Sequence, residues 1–148
     1  MKAVIQRVSS ASVTVENNVI GKINTGFLLL LGVEDTDNDE DVHYLINKAV
    51  GLRIFPNEKN NMNLALQDIG GSALVVSQFT LCADTRKGRR PSFVHAAPPE
   101  MAKKFYLKFC TGLEEKGIAV QRGRFGAMMQ VQLCNEGPVT ILLDSKNS

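Results

Sequence analysis

The run GFLLLLGV, from Gly26 to Val33, is continuously apolar and bounded by glycine. It is too short for an ordinary helix and shows no alternation, so it reads as a strand buried on both faces at the centre of a sheet. Upstream, Lys2 to Val8, Ser12 to Glu16 and Val19 to Ile23 alternate apolar and polar residues like the strands of a meander. Asn17-Asn18 is the expected two-residue turn, because asparagine tolerates positive φ. Downstream, Val42, Leu45, Ile46 and Ala49 recur at helical spacing. They follow cap candidates Thr36 to Asn38 and the acids Asp39 to Asp41, which suit a helix N-terminus.

Asn57 to Gly71 is polar and rich in breakers, and reads as surface loop or a minor strand. SALVVSQFTL, Ser72 to Leu81, reads as a strand ending in polar residues, and ADTRKGRRPSFVHAAPPE after it as the longest loop. A second helix follows Pro98-Pro99, with Met101, Phe105, Phe109 and Leu113 on one face and Gly117 as its C-terminal stop. Ile118 to Arg122, Met128 to Leu133 and Val139 to Leu143 read as strands. The predicted fold class is α+β: a single domain over residues 1–148, whose curved, antiparallel-rich β-sheet or barrel is covered by about two α-helices.

With 148 residues the chain can bury a core without disulfides or structural metals. It is 44% hydrophobic and 22% charged, and no run approaches the roughly 18 to 20 apolar residues of a membrane span. The opening MKAVIQRVSSASVTV lacks the apolar stretch of a secretory signal, so a cytoplasmic location and no membrane partner are expected. Cys82, Cys110 and Cys134 are scattered and odd in number, which suits free thiols. With only His43 and His95 and no close-set Cys/His ligands, neither a zinc site nor another cofactor is expected. A net charge of +2 is too small to mark a whole-surface nucleic-acid binder, so any such role rests on a local patch.

That patch is TRKGRRPSF, Thr85 to Phe93, where Arg86, Lys87, Arg89 and Arg90 surround Gly88. Such a run is ordinarily a solvated loop; concentrated in a nearly neutral chain beside a candidate site, it also suits phosphates. Phe93 is either a base-stacking ring or a core residue. SQFTL, Ser77 to Leu81, brings hydroxyl and amide side chains to a strand end just before this loop, where sites tend to sit. These groups serve either local hydrogen bonds or catalysis. A serine or threonine nucleophile needs a base, and only His95 is near in sequence, so a covalent mechanism is not expected. In LCNEGPVTILL, Leu133 to Leu143, Gly137-Pro138 interrupts residues that otherwise read as strand. Proline gives a sheet no amide donor, so the dipeptide is either an ordinary turn or a rigid corner presenting main-chain atoms.

In order and spacing, MKAVIQRVSSASVTV, SQFTL and NEGPVT (Asn135 to Thr140) resemble the D-aminoacyl-tRNA deacylases along essentially the whole chain. The resemblance implies hydrolysis of the ester joining a D-amino acid, and also glycine, to the 3′-terminal adenosine of tRNA. It implies a homodimer in which Gly137-Pro138, joined by a cis bond, enters the partner's pocket, where main-chain carbonyls fill the space an L side chain needs. It places oxyanion donors in the region of Phe79 and Thr80, with Ser77 and Gln78 shaping the pocket. Assistance by the neighbouring ribose hydroxyl is preferred to attack by Thr80, since no oriented base is evident. The resemblance also implies that Arg7 steadies the Gly-Pro corner. Phe125 is a candidate to stack on the terminal adenine, Met129 to line the pocket, and Arg86, Lys87, Arg89 and Arg90 to meet acceptor-stem phosphates. Three alternatives stay open: a non-catalytic tRNA-binding module, a small-molecule esterase using Thr80 or Ser77, and a deacylase subclass with shifted tolerance for glycine or L-alanine.

Overall fold

In the computed structural model, which describes residues 1–147, β1 (Lys2–Val15) is one bent strand where two were expected. Ser148, the end of the predicted domain, lies outside the described residues. Ala3 and Ile5 of β1 face one core, Val8, Ala11, Val13 and Val15 another. The alternation slips between Ile5 and Val8, so a single strand serves two cores and looks broken in sequence. β2 (Asn18–Ile23) folds back on β1 with Val15 paired to Asn18. The turn is therefore Glu16-Asn17, at φ 49° and 67°, one residue earlier than predicted.

β3 (Gly26–Gly32) is the buried central strand that its composition predicts. Phe27, Leu29 and Leu31 pack into the larger core and Leu28 into the smaller. α1 (Asp39–Gly51) follows, and Asn38 and Asp41 cap it reciprocally through side chain and backbone. The polar segment forms a small hairpin of β4 (Phe55–Pro56) and β5 (Met62–Leu64). β6 (Ser72–Ser77) ends earlier than predicted, and Phe79–Cys82 is a 3₁₀ turn instead of strand. α2 (Pro99–Glu115), β7 (Ala119–Arg122) and β8 (Gln130–Asp144) complete the chain.

The sheet runs β2-β1-β3-β6-β7, with β8 pairing β1 outside that path. β1 is antiparallel to β2, β3 and β8, whereas β3–β6 and β6–β7 are parallel. The sheet is therefore mixed. Each parallel pair is joined by a crossover carrying a helix, α1 for the first and α2 for the second, which is the connection parallel strands require. Both helices pack on the same side, sealing the larger core with Leu45, Phe105, Phe109 and Leu113. β2 approaches β7 and nearly closes the sheet into a barrel around the smaller core. Among the described residues no helix is long and apolar enough to cross a membrane, and the three cysteines are free.

Candidate active site

β6 is buried from Ala73 through Val76 and ends at the half-buried Ser77. There the Gln78 N–H donates to Leu31 O at 2.8 Å, and the chain enters the Phe79–Cys82 turn. Gly32 permits this close approach, because a Cβ there would stand 3.0 Å from Leu81 Cβ and 3.1 Å from the Gln78 carbonyl oxygen. The Gln78 side chain does not cap the turn; its amide donates to Thr80 Oγ1. The first N–H groups of such a turn, those of Phe79 and Thr80, have no acceptor within it.

Ser77, Gln78 and Phe79 edge a cavity of about 670 Å³, to which Phe125 and Met129 also contribute. Its other walls include Phe93, Val131 and the start of α2 at Pro98, Pro99 and Ala102. Among the described residues no lining side chain is ionisable. His95 opens instead onto a separate recess with Glu34, Cys82, Asp84 and Arg86. Burial pushes the Cys82 thiol there up to about 11, and its Sγ donates to Val33 O, so it is no nucleophile at neutral pH. Behind the cavity, Val75 O accepts from both Tyr106 Oη (2.8 Å) and Gly123 N (3.0 Å). The Tyr106 ring lies 6.0 Å from that of Phe125, which ties the pocket's Phe125–Met129 wall to α2 and β6.

Arg7, Gly137 and Pro138 lie elsewhere, around a second cavity of about 660 Å³ with Phe55 and Met62. Among the described residues none lines both cavities. The Gly137-Pro138 bond is cis. Gln6 pairs with Thr140 and Val8 with Asn135, so Arg7 alone stands opposite Glu136, Gly137, Pro138 and Val139. Arg7 Nε donates to Glu136 O at 2.8 Å and Nη1 to Ile54 O at 2.6 Å.

The basic loop is closed at its base by reciprocal backbone bonds between Asp84 and Ser92, 2.8 and 2.9 Å long, immediately before Phe93. Arg86 forks onto Asp84 at 2.9 and 2.7 Å and holds that carboxyl well below the usual range. Lys87, Arg89 and Arg90 are exposed, with no salt bridge among the described residues. The structure thus gathers Ser77, Gln78, Phe79, Phe125 and Met129 in one cavity, with Thr80 beside it, and sets the Gly-Pro corner and Arg7 apart. The Pro98–Ala102 wall and the support from Tyr106 escaped sequence reading; the small residues of HAAPPEMA were the one local sign of a wall.

The family described as D-Tyr-tRNA(Tyr) deacylase matches residues 4–144. The D-aminoacyl-tRNA deacylase of Clostridioides difficile (strain 630) is 57% identical over 148 residues, covering 100% of this chain and 99% of the relative. That of Thermosipho africanus (strain TCF52B) is 56% identical over 146 residues, covering 99% and 98%. A solved structure described as a c-Myc DNA unwinding element binding protein is 39% identical, covers 97% of this chain and 98% of its own, and superposes with a TM-score of 0.92. A probable eukaryotic D-amino acid tRNA deacylase, 18% identical, covers 96% and 97% at a TM-score of 0.80 and shares the fold. A family match from residue 4 to residue 144 and relatives this similar over nearly the full chain have one meaning: the chain belongs to the D-Tyr-tRNA(Tyr) deacylase family.

Proposed function

We propose that the protein hydrolyses D-aminoacyl-tRNA, and also glycyl-tRNA, at the ester of the 3′-terminal adenosine, releasing amino acid and tRNA. The observation that carries this reading is a cavity edged by Ser77, Gln78 and Phe79 that offers no ionisable side chain. An ester flanked by a ribose hydroxyl brings its own assistance for water, and asks the protein mainly for orientation and an oxyanion cradle. The N–H groups of Phe79 and Thr80 form that cradle, while Ser77 and Gln78 shape the pocket floor. Thr80 is not the nucleophile. Phe125 stacks on the terminal adenine, Met129 lines the pocket, and Lys87, Arg89 and Arg90, with Arg86 beside them, meet backbone phosphates. This substrate puts the reaction in the cytoplasm.

Chirality is read by rejection: main-chain carbonyls of the Gly137-Pro138 corner occupy the space an L side chain needs, and Arg7 steadies them. The corner lines a cavity of its own, which supports a homodimer in which each corner serves the partner's pocket. The test is hydrolysis of D-Tyr-tRNA and L-Tyr-tRNA side by side by the purified protein. Rapid loss of the D-ester alone is expected. Cleavage of both esters overturns the chiral reading, and binding of tRNA without cleavage of either leaves a non-catalytic module. Sedimentation equilibrium tests the dimer: a monomer that still discriminates would overturn the cross-subunit corner.

A further inference from the structure

Where four residues of one strand face a single residue of its neighbour, the ladder is interrupted and backbone polar groups lose their ordinary partners. Glu136, Gly137, Pro138 and Val139 are in that position opposite Arg7. Asn135 stands at the neck of the excursion. Its Oδ1 accepts from Val139 N at 2.8 Å, and its Nδ2 donates to Val139 O and to Thr140 Oγ1, each at 3.2 Å. One side-chain amide thus supplies both bonds that a neighbouring strand would have given Val139. Thr140 Oγ1 also accepts from Gln6 Nε2 at 3.4 Å, which ties the neck to β1. Arg7 grips the other limb through Glu136 O. Glu136, Gly137 and Pro138 are themselves exposed, so no core packing fixes where the corner points.

We propose that Asn135 is a positioning residue that sets the aim of the Gly137-Pro138 corner and thereby the preference for D over L substrates; the inference rests on the D-selective deacylation proposed above. Asn135 touches no reacting atom. It acts by pinning Val139, so that the corner two residues away keeps one orientation when an L side chain presses on it. Aspartate would keep the shape and the acceptor for Val139 N, but would lose both donated bonds and set a carboxylate oxygen against the Val139 carbonyl.

The experiment compares kcat/KM on D-Tyr-tRNA and L-Tyr-tRNA for the wild type, Asn135→Asp and Asn135→Ala, with thermal melting of each. The D-to-L ratio is expected to fall about tenfold in either variant, on the scale of one or two lost hydrogen bonds. Turnover of the D-ester should change by less than about threefold, because the pocket itself keeps its contacts. A selective wild type with an unchanged ratio in the variants overturns the role of Asn135 alone. A wild type that cleaves both esters without preference overturns the D-selective reading proposed above and this inference with it. Asn135→Ala adds no charge and covers the case in which the aspartate variant does not fold; failure of both to fold would make Asn135 a residue of the fold and overturn its role in selection.

Discussion

Phe79 meets Phe93 edge to face, with ring centroids 5.0 Å apart and planes at 67°. Phe79 opens the turn after β6, and Phe93 follows the base of the basic loop, so the pair joins two walls of one cavity. Neither ring belongs to either buried core. A pair of this geometry contributes about 0.5–1.5 kcal/mol beyond its buried area. Phe93→Ala should therefore cost about 0.5–1.5 kcal/mol of stability, a modest fall in Tm, and, because it also removes a cavity wall, raise KM for D-aminoacyl-tRNA. Steady-state kinetics and a thermal melt check this; a large fall in Tm with KM unmoved would mean that the pair serves the fold instead.

Thr80 carries the hydroxyl a covalent mechanism would use, yet its Oγ1 already accepts from Gln78 and no ionisable side chain lines the cavity beside it. Thr80→Ala is expected to keep turnover within about tenfold, the loss of one orienting hydrogen bond. A tRNA ending in 2′-deoxyadenosine should be cleaved at least about a hundredfold more slowly, the usual worth of a positioned acid–base group. The pH profile of kcat/KM should show no inflection from a protein base between about pH 5.5 and 8. Collapse of activity in a folded Thr80→Ala protein would overturn the RNA-assisted route.

The central strand and first helix were legible because their signals are local. Phe27 to Leu31 form an unbroken apolar run, and Asn38 with Asp41 lies directly before a helical period. The parallel pairings were missed although strand–helix–strand order was present twice, because the alternation in β1 pointed to a meander. That alternation slips at Gln6-Arg7, where β1 passes between cores, a fact only tertiary packing reveals. Glu16 has no intrinsic preference for φ 49°, so the turn was set one residue late. β8 looked like two strands because Gly-Pro ordinarily ends one. Across the excursion β8 is tied by Arg7, from a strand distant in sequence, and by Asn135 at its own neck. The motifs drew attention to Ser77, Gln78 and Phe79, which edge the cavity, and to the corner, which does not; the walls at Pro98–Ala102 and Val131 come from segments distant in sequence that no motif ties to the cavity.

The cations of the basic loop are not equivalent. Arg86 is committed to Asp84 in a bidentate pair, whereas Lys87, Arg89 and Arg90 have no such partner among the described residues. If Arg89 and Arg90 each neutralise a phosphate, Arg89→Ala and Arg90→Ala should each lower the slope of log K against log salt by about 0.7 to 0.9. Arg86→Ala should change the slope less, because its charge is already matched. Fluorescence titrations of tRNA over a range of salt concentrations measure the slopes. Equal slopes for wild type and all three variants would remove the loop from the binding surface.

Asp41 links the start of α1 to the end of β8. Its Oδ1 accepts from Ser145 Oγ at 2.6 Å, and its Oδ2 from Asn38 N at 2.9 Å and Lys146 Nζ at 3.0 Å. Burial alone would raise this carboxyl, but the bonds from Ser145, Asn38 and Lys146 outweigh it and hold it at about 2, against an ordinary 3.8. Because the folded value is the lower one, the stabilisation is complete above the unfolded value and is lost as pH falls through about 2. Asp41→Asn should therefore cost about 1–2 kcal/mol at neutral pH, measured by urea unfolding. The variant can still accept from Asn38 N, so the cap is partly kept and the difference reports mainly the charge. Below about pH 3 the two proteins should converge, since the wild-type carboxylate is then giving up its advantage. Parallel stability curves for the two proteins down to that pH would mean that the charge on Asp41 contributes nothing to folding.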